Sequence, residues 1–333
     1  MQALRGLAAL SVVTYHAFQW IDDRFWVGAA GVDVFFVISG FIIWTVGSAD
    51  ESRPAVFFWR RLTRVAPAYW LVTGLVIVVA ALWPTLMRQV TLSPAHVALS
   101  IAFVQHIDPR GLPFPVLPPG WSLDYEAVFY ALFTLVLFAP TPAARFRLIL
   151  AALGAVIVFG VLDPPAYFLG ANMMLLQFAA GVWLARRGQI GRRILPEIGA
   201  ALAAIGLALL VAQGLTGLRS DLWRPLLWGV PAAMIVAGAV ALEPVARLAP
   251  PRPLFWLGDA SYAIYLCHFI AVALVARLVG VSPTWRFVPA AVAASLAAGL
   301  VFHRFVERPL IAAARSVPGL LGAKNLGRAA ANG

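Results

Sequence analysis

Long apolar runs, each closed by a short arginine-bearing interruption, follow one another along the whole chain. Stretches such as "LVTGLVIVVAALW" and "AALGAVIVFGVL" are continuously apolar rather than alternating. That predicts helices in lipid and not the strands of a transmembrane barrel. The pattern predicts an all-α polytopic membrane protein with about ten transmembrane helices, at roughly 4–21, 31–47, 66–83, 121–139, 148–163, 168–185, 198–213, 225–242, 256–279 and 286–303. Between them lie "RPAVFFWRRLTR", "TPAARFR", "ARRGQIGRR", "EPVARLAPPRP" and, after the last, "HRFVERPL". Placing all of these in the cytoplasm, with both termini, satisfies the positive-inside rule, provided that 84–120 forms one long outer loop. Within that loop "AHVALSIAFV" is short for a crossing, so a re-entrant or interfacial segment is expected near 95–107. A full eleventh span there would put the arginines of "TPAARFR" outside. "IDPRGLPFPVLPPG" is too proline-rich for helix and is expected to form an ordered outer lid leading into "WSLDYEAVFY". With no repeat or low-complexity run, the expected organisation is a single transmembrane domain over 1–310 and a basic cytoplasmic tail over 311–333.

Composition sharpens this class. Hydrophobic residues make up 62% and charged residues 12%, with a mean hydropathy of +0.87; an ordinary soluble domain carries about 25% charged residues. The net charge of +11 does not indicate nucleic acid, because the arginines fall between apolar runs, as topology requires. The single cysteine, Cys267, allows no intrachain disulfide and no thiolate cluster, and no metal site is expected. "VGAAG" is a poor cleavage site, so the first segment is expected to be an uncleaved helix rather than a signal peptide.

Ionisable residues inside spans are costly and usually face a cavity or a partner. Arg5 and His16 are eleven residues apart, about three turns and roughly 16 Å, so they share one face of the first helix. His16 fits a general base, since imidazole is suited to proton transfer near neutral pH; a histidine satisfied by a neighbouring carbonyl is the plainer alternative. Ser122, Glu126 and Tyr130 share a helix face at i, i+4 and i+8. Glu126 is expected at the depth of His16 and so within reach of it as a partner. Asp33 is accounted for as an acid at a helix N-terminus. Arg61 and Arg64, at i and i+3 on the cytoplasmic side level with Arg5, suit either an anion site or topology alone. Ser261, Tyr265 and His268 share a face of a late span, where bonds across helices are expected, and Glu307 is expected to pair with nearby arginines.

"RGLAALSVVTYH", "GVDVFFVISGF", "RRLTRVAPAYW", "WSLDYEAVFY", "LGDASYAIYLCHF" and "VERPL", in this order, resemble acyltransferase family 3 over nearly the whole chain. The resemblance is closest to members that decorate bacterial exopolysaccharides. It implies a bacterial inner-membrane enzyme that moves an acyl group, usually acetyl, from cytoplasmic acyl-CoA to a carbohydrate hydroxyl. By the same resemblance Arg5 and His16 match the arginine and essential histidine of the first span. Arg61 and Arg64 match the paired arginines that meet the acyl donor, and Glu126 matches the acidic residue of the tryptophan-containing motif. Many members carry two adjacent glutamates there, whereas here Ala127 follows. No attached outer hydrolase-like domain is expected, which leaves acceptor delivery to this domain or to a glycan-assembly partner protein. On this reading the CoA phosphates rest on the inner arginines and His16 takes the acceptor proton. Glu126 orients the imidazole, and a covalent acyl-histidine remains an alternative route. The rival from another class is a transporter or flippase for a lipid-linked glycan.

Overall fold

The computed structural model describes residues 1–22, 24–49, 54–162, 173–218, 223–244 and 252–315. Among them the regular structure is helical, with no strand. The first half comprises α1 (Gln2–Phe18), α2 (Gly31–Ala49), α3 (Pro54–Leu82), α4 (Pro94–Ile101), α5 (Trp121–Val136) and α6 (Pro142–Leu162). The second comprises α7 (Leu175–Gln189), α8 (Pro196–Thr216), α9 (Val230–Leu242), α10 (Arg252–Asp259), α11 (Ser261–Val279), α12 (Thr284–Phe302) and α13 (Arg308–Arg315). Seven stretches among the described residues are long and apolar enough to cross a membrane. The other predicted spans correspond to α1, α5 and α7, of 17, 16 and 15 residues.

Two boundaries depart from the expected ones, while the segment near 95–107 behaves as expected. The third helix starts at Pro54 instead of 66, because a proline, lacking an N–H and fixed in φ, fits a first turn. It therefore carries Arg61 and Arg64 within a 29-residue helix. The expected span 256–279 is broken at Ala260 into α10 and α11. The break follows Gly258, where a Cβ would collide with the Gln2 carbonyl, and Asp259 accepts a hydrogen bond from Gln2 Nε2 at 2.8 Å. The segment near 95–107 contains only the eight-residue α4, rising about 12 Å, too little to cross. Of the expected tail, 311–315 continue α13 and 316–333 lie outside the described residues. Most of the loop 243–253 and the start of the span expected at 168 also lie outside them.

The proline-rich segment before α5 is ordered without being helical. Ser100 Oγ accepts from the Val116 N–H at 3.0 Å, Val116 and Leu117 are buried, and a 3₁₀ turn, Pro118–Gly120, leads into α5.

Burial separates centre from rim. The most apolar window of Trp26–Gly47 is 72% buried inside the protein, against 17% for α6 and for α8, so α2 is central and the latter two face outward. Gly40 of α2 and Gly181 of α7 make their crossing possible. A Cβ on either would meet a carbonyl of the other helix, from Phe178 and Val37 respectively, and small residues at such crossings let backbones approach. Phe36, Phe129 and Phe178 stack beside it, with centroids 4.7 and 4.6 Å apart. The chain leaves α1 and turns back into the bundle. Ser11 Oγ donates to the Gly28 carbonyl at 3.0 Å, and Gly31 sits against Ala8 and Val12. α2 thus begins about halfway along α1, an offset that decides what faces what below.

Candidate active site

Two cavities lie in sequence along α1 and α11. The first encloses about 810 Å³ of empty space, open mouth included. It runs along α2 from Val32 to Ile43, and Arg5, Arg61, Arg64, Glu126, Tyr130 and Ser122 are among the side chains that line it. Three guanidiniums and one carboxylate thus share one chamber. Arg61 Nε is buried with no hydrogen-bond partner among the described residues, and Arg5 Nη1 reaches Gln2 Oε1 only at 3.4 Å. Glu126 Oε1 accepts from Ser39 Oγ at 3.0 Å and from the Tyr130 hydroxyl, and Glu126 stands in electrostatic reach of Arg5 and Arg61.

The chamber closes where α5 begins. Tyr265 Oη donates to the Pro119 carbonyl at 2.9 Å and lies 2.8 Å from Ser122 Oγ, which is itself 3.2 Å from the same carbonyl. This is the inter-helix bond expected of Tyr265. Beyond it lies the second cavity, lined by His16, Gln19, Trp20, Gln89, His268 and Phe269, with Val272. His16 stacks on His268 with centroids 4.9 Å apart and planes inclined by 29°. The His268 Nδ1–H donates to the Tyr265 carbonyl at 2.6 Å, while Nε2 is buried without a partner among the described residues. Helix α11 is the shared wall. Ser261 and Tyr265 face the first chamber and His268 the second, with only three residues, about 4.5 Å, between the last two.

The structure therefore brings together Arg5, Arg61, Arg64, Glu126, Ser122, Tyr130 and Tyr265, and places His16 with His268 next door. It does not bring His16 and Glu126 together. Spans starting at a common surface would put the two level, but α2 starts halfway along α1. Ser39, eight residues and about 12 Å further along α2, therefore draws Glu126 to the level of Arg5. Asp33 is more than a helix-terminal acid: fully buried, it accepts from Gln177 Nε2 at 2.7 Å and pairs with Arg224 at 3.0 Å. Arg224 is itself stacked over Trp228, 4.5 Å from the ring centroid. Glu307 accepts from His303 Nδ1 at 2.6 Å, one helical turn away; among the described residues no arginine stands at ion-pair distance from it, although Arg5 is in electrostatic reach.

Gln19 and Ser39 escaped the sequence reading, although both carried a signal. Gln19 stands three residues after His16, and Ser39 is a lone hydroxyl inside an apolar run. Asp124, two residues before Glu126, is buried but does not line the chamber. Among the described residues no group of three or more His, Cys, Asp or Glu gathers as a metal site.

An arginine-lined chamber next to an imidazole pair, buried at His268 and half-buried at His16, is suited to group transfer within a helical, membrane-spanning chain. Comparison with known families agrees. The acyltransferase-domain profile of acyltransferase family 3 matches residues 1–304, and the chain belongs to that family as a membrane acyltransferase. It is 35% identical over 317 residues to the exopolysaccharide production protein ExoZ of Rhizobium meliloti, covering 91% of this chain and 95% of that one. It is 28% identical to the putative membrane-bound transacylase BcsY of Komagataeibacter xylinus, covering 92% and 81%. Against the peptidoglycan O-acetyltransferase OatA of Listeria monocytogenes the identity is 26%, over 93% of this chain but only 55% of that protein. No solved structure matches.

Proposed function

We propose that the protein transfers an acyl group, acetyl in the first instance, from cytoplasmic acyl-CoA to a hydroxyl of a cell-surface or lipid-linked carbohydrate. It would do so in a bacterial inner membrane with both termini inside. The observation that carries this reading is the pairing of chambers: a basic one fitted to an acidic donor, and an imidazole-bearing one separated from it by a single turn of α11. The names of the relatives support the carbohydrate acceptor, and the arginine-rich loops support the orientation.

Guanidinium forks suit phosphate oxygens, so Arg5, Arg61 and Arg64 hold the nucleotide end of the donor. The thin thioester arm extends past Tyr265 toward His16. There the acceptor oxygen bonds to the thioester carbon as His16 takes its proton. The carbon–sulfur bond then breaks, and the proton passes to the departing thiolate. Glu126, in the donor chamber, tempers the arginine charge and fixes Tyr130 and Ser39.

The test is label transfer from radiolabelled acetyl-CoA to extracted surface polysaccharide by protein in nanodiscs. His16→Gln, which keeps size but cannot act as the base, should lose about 10²–10⁴-fold in turnover with donor binding intact. Parental turnover of a folded His16→Gln would end the assignment of His16. Glycan movement without label transfer would favour a transporter.

A further inference from the structure

His16 has the hydrogen-bonding arrangement of a catalytic base without the usual carboxylate. Its Nδ1 lies 2.7 Å from Gln19 Oε1, and Gln19 Nε2 donates to the Tyr15 phenol oxygen. An amide has one acceptor end and one donor end. With the donor end given to Tyr15, the carbonyl end faces the imidazole, and a carbonyl can only accept. Nδ1 must then carry the proton, which leaves the lone pair on Nε2. The opposite amide orientation would put the lone pair on Nδ1, occupied by the amide, and a proton on Nε2, so that neither nitrogen would be free to act as a base.

We infer that Gln19, anchored by Tyr15, is the positioning residue that holds His16 as the Nδ1–H tautomer. Resting on His16 as the base, it fills the place that a carboxylate holds in hydrolase triads. The carboxylate expected there, Glu126, is in the other chamber. The other ionisable ring facing His16 is His268 of α11, and its Nδ1 is already committed to the Tyr265 carbonyl. Gln19 caps the C-terminal end of α1, its backbone N–H donating to the Tyr15 carbonyl at 3.0 Å, and its side chain lines the same cavity as His16.

The experiment pairs a spectroscopic with a kinetic readout. Histidine labelled with nitrogen-15 is incorporated into full-length protein in nanodiscs, and the His16 signals are identified by their loss in His16→Gln. The parent and Gln19→Glu should show a protonated Nδ1 and a bare Nε2. Gln19→Leu, which cannot accept, should show a mixture or the reverse. In a deletion strain carrying each variant, the ester content of the surface polysaccharide and the label-transfer rate should fall roughly 10–10²-fold for Gln19→Leu, with acetyl-CoA affinity unchanged. Gln19→Glu should restore most of that loss. Tyr15→Phe frees the amide to turn and should give an intermediate loss, and it decides the matter if Gln19→Leu does not fold. An Nε2-protonated His16 in the parent overturns the inference. So does a folded Gln19→Leu, or in its place Tyr15→Phe, with parental spectrum and turnover. If His16→Gln itself keeps parental turnover, it is the assignment of His16 as the base, on which this inference rests, that fails.

Discussion

Removing the one carboxylate from the arginine-lined chamber should strengthen donor binding, a result opposite in sign to most active-site substitutions. Arg5, Arg61, Arg64 and Glu126 line one cavity, so its formal charge is +2 and becomes +3 in Glu126→Gln. At about 8 Å and an effective dielectric near 20, one unit charge is worth about 2 kcal/mol, and somewhat less at greater range. A gain of about 1–2 kcal/mol corresponds to roughly 5–30-fold tighter binding of CoA. Arg61→Ala or Arg64→Ala removes a charge-assisted phosphate contact worth about 1.5–3 kcal/mol, a loss of roughly 10–150-fold. Glu126→Gln combined with Arg61→Ala should return close to the parent, since one change offsets the other in charge. Arg286→Ala serves as control, because that guanidinium stacks on Trp285 and lines neither cavity. Titration calorimetry of CoA into nanodisc-held protein reads all five variants. Weaker binding by a folded Glu126→Gln, or unchanged binding by both arginine variants, would refute the assignment of this chamber to the donor.

Asp33→Ala strands the Arg224 guanidinium, whose side chain is only 15% exposed, and should cost about 3–5 kcal/mol in a nanodisc melt; Asp33→Ala/Arg224→Met should recover part of it. In the segment before α5, burial alone would raise the Asp108 carboxyl. Hydrogen bonds from the Leu112 and Arg110 N–H groups and the Arg110 side chain outweigh it and hold that carboxyl below the usual range. Its contribution is then full above the usual carboxylate value and is lost as pH falls through the lowered one. Protection of the 108–112 amides, relative to their intrinsic exchange at each pH, should fall as pH drops below about 4, and Asp108→Asn should abolish that dependence. For orientation, cysteines at Pro113 and Gly188 in a Cys267→Ser background should label oppositely with an impermeant maleimide in intact cells. Position 113 should react, and labelling of 188 alone would invert the map.

Spans were legible in the sequence because the condition for crossing lipid is local: enough consecutive apolar residues, with arginines at the ends. The shared face of Ser122, Glu126 and Tyr130, and the separation of Arg5 from His16, were legible for a similar reason, since helical periodicity fixes both within one element. Boundaries at Pro54 and Ala260 shifted because a first-turn proline and the seating of Gln2 against Gly258 act on the backbone, not on hydropathy. What only the tertiary structure decided was the level of each helix against its neighbours. Depth read from sequence treats helices as rods starting at a common surface. Here the turn at Trp26–Ala30 carries the chain back along α1 before α2 begins. That offset puts Glu126 beside Arg5, leaves His16 to Gln19 and His268, and sets Tyr265 between the two chambers. Partners that lie more than eighty residues apart, as Ser39 and Glu126 do, are joined by packing, which no window along the chain contains.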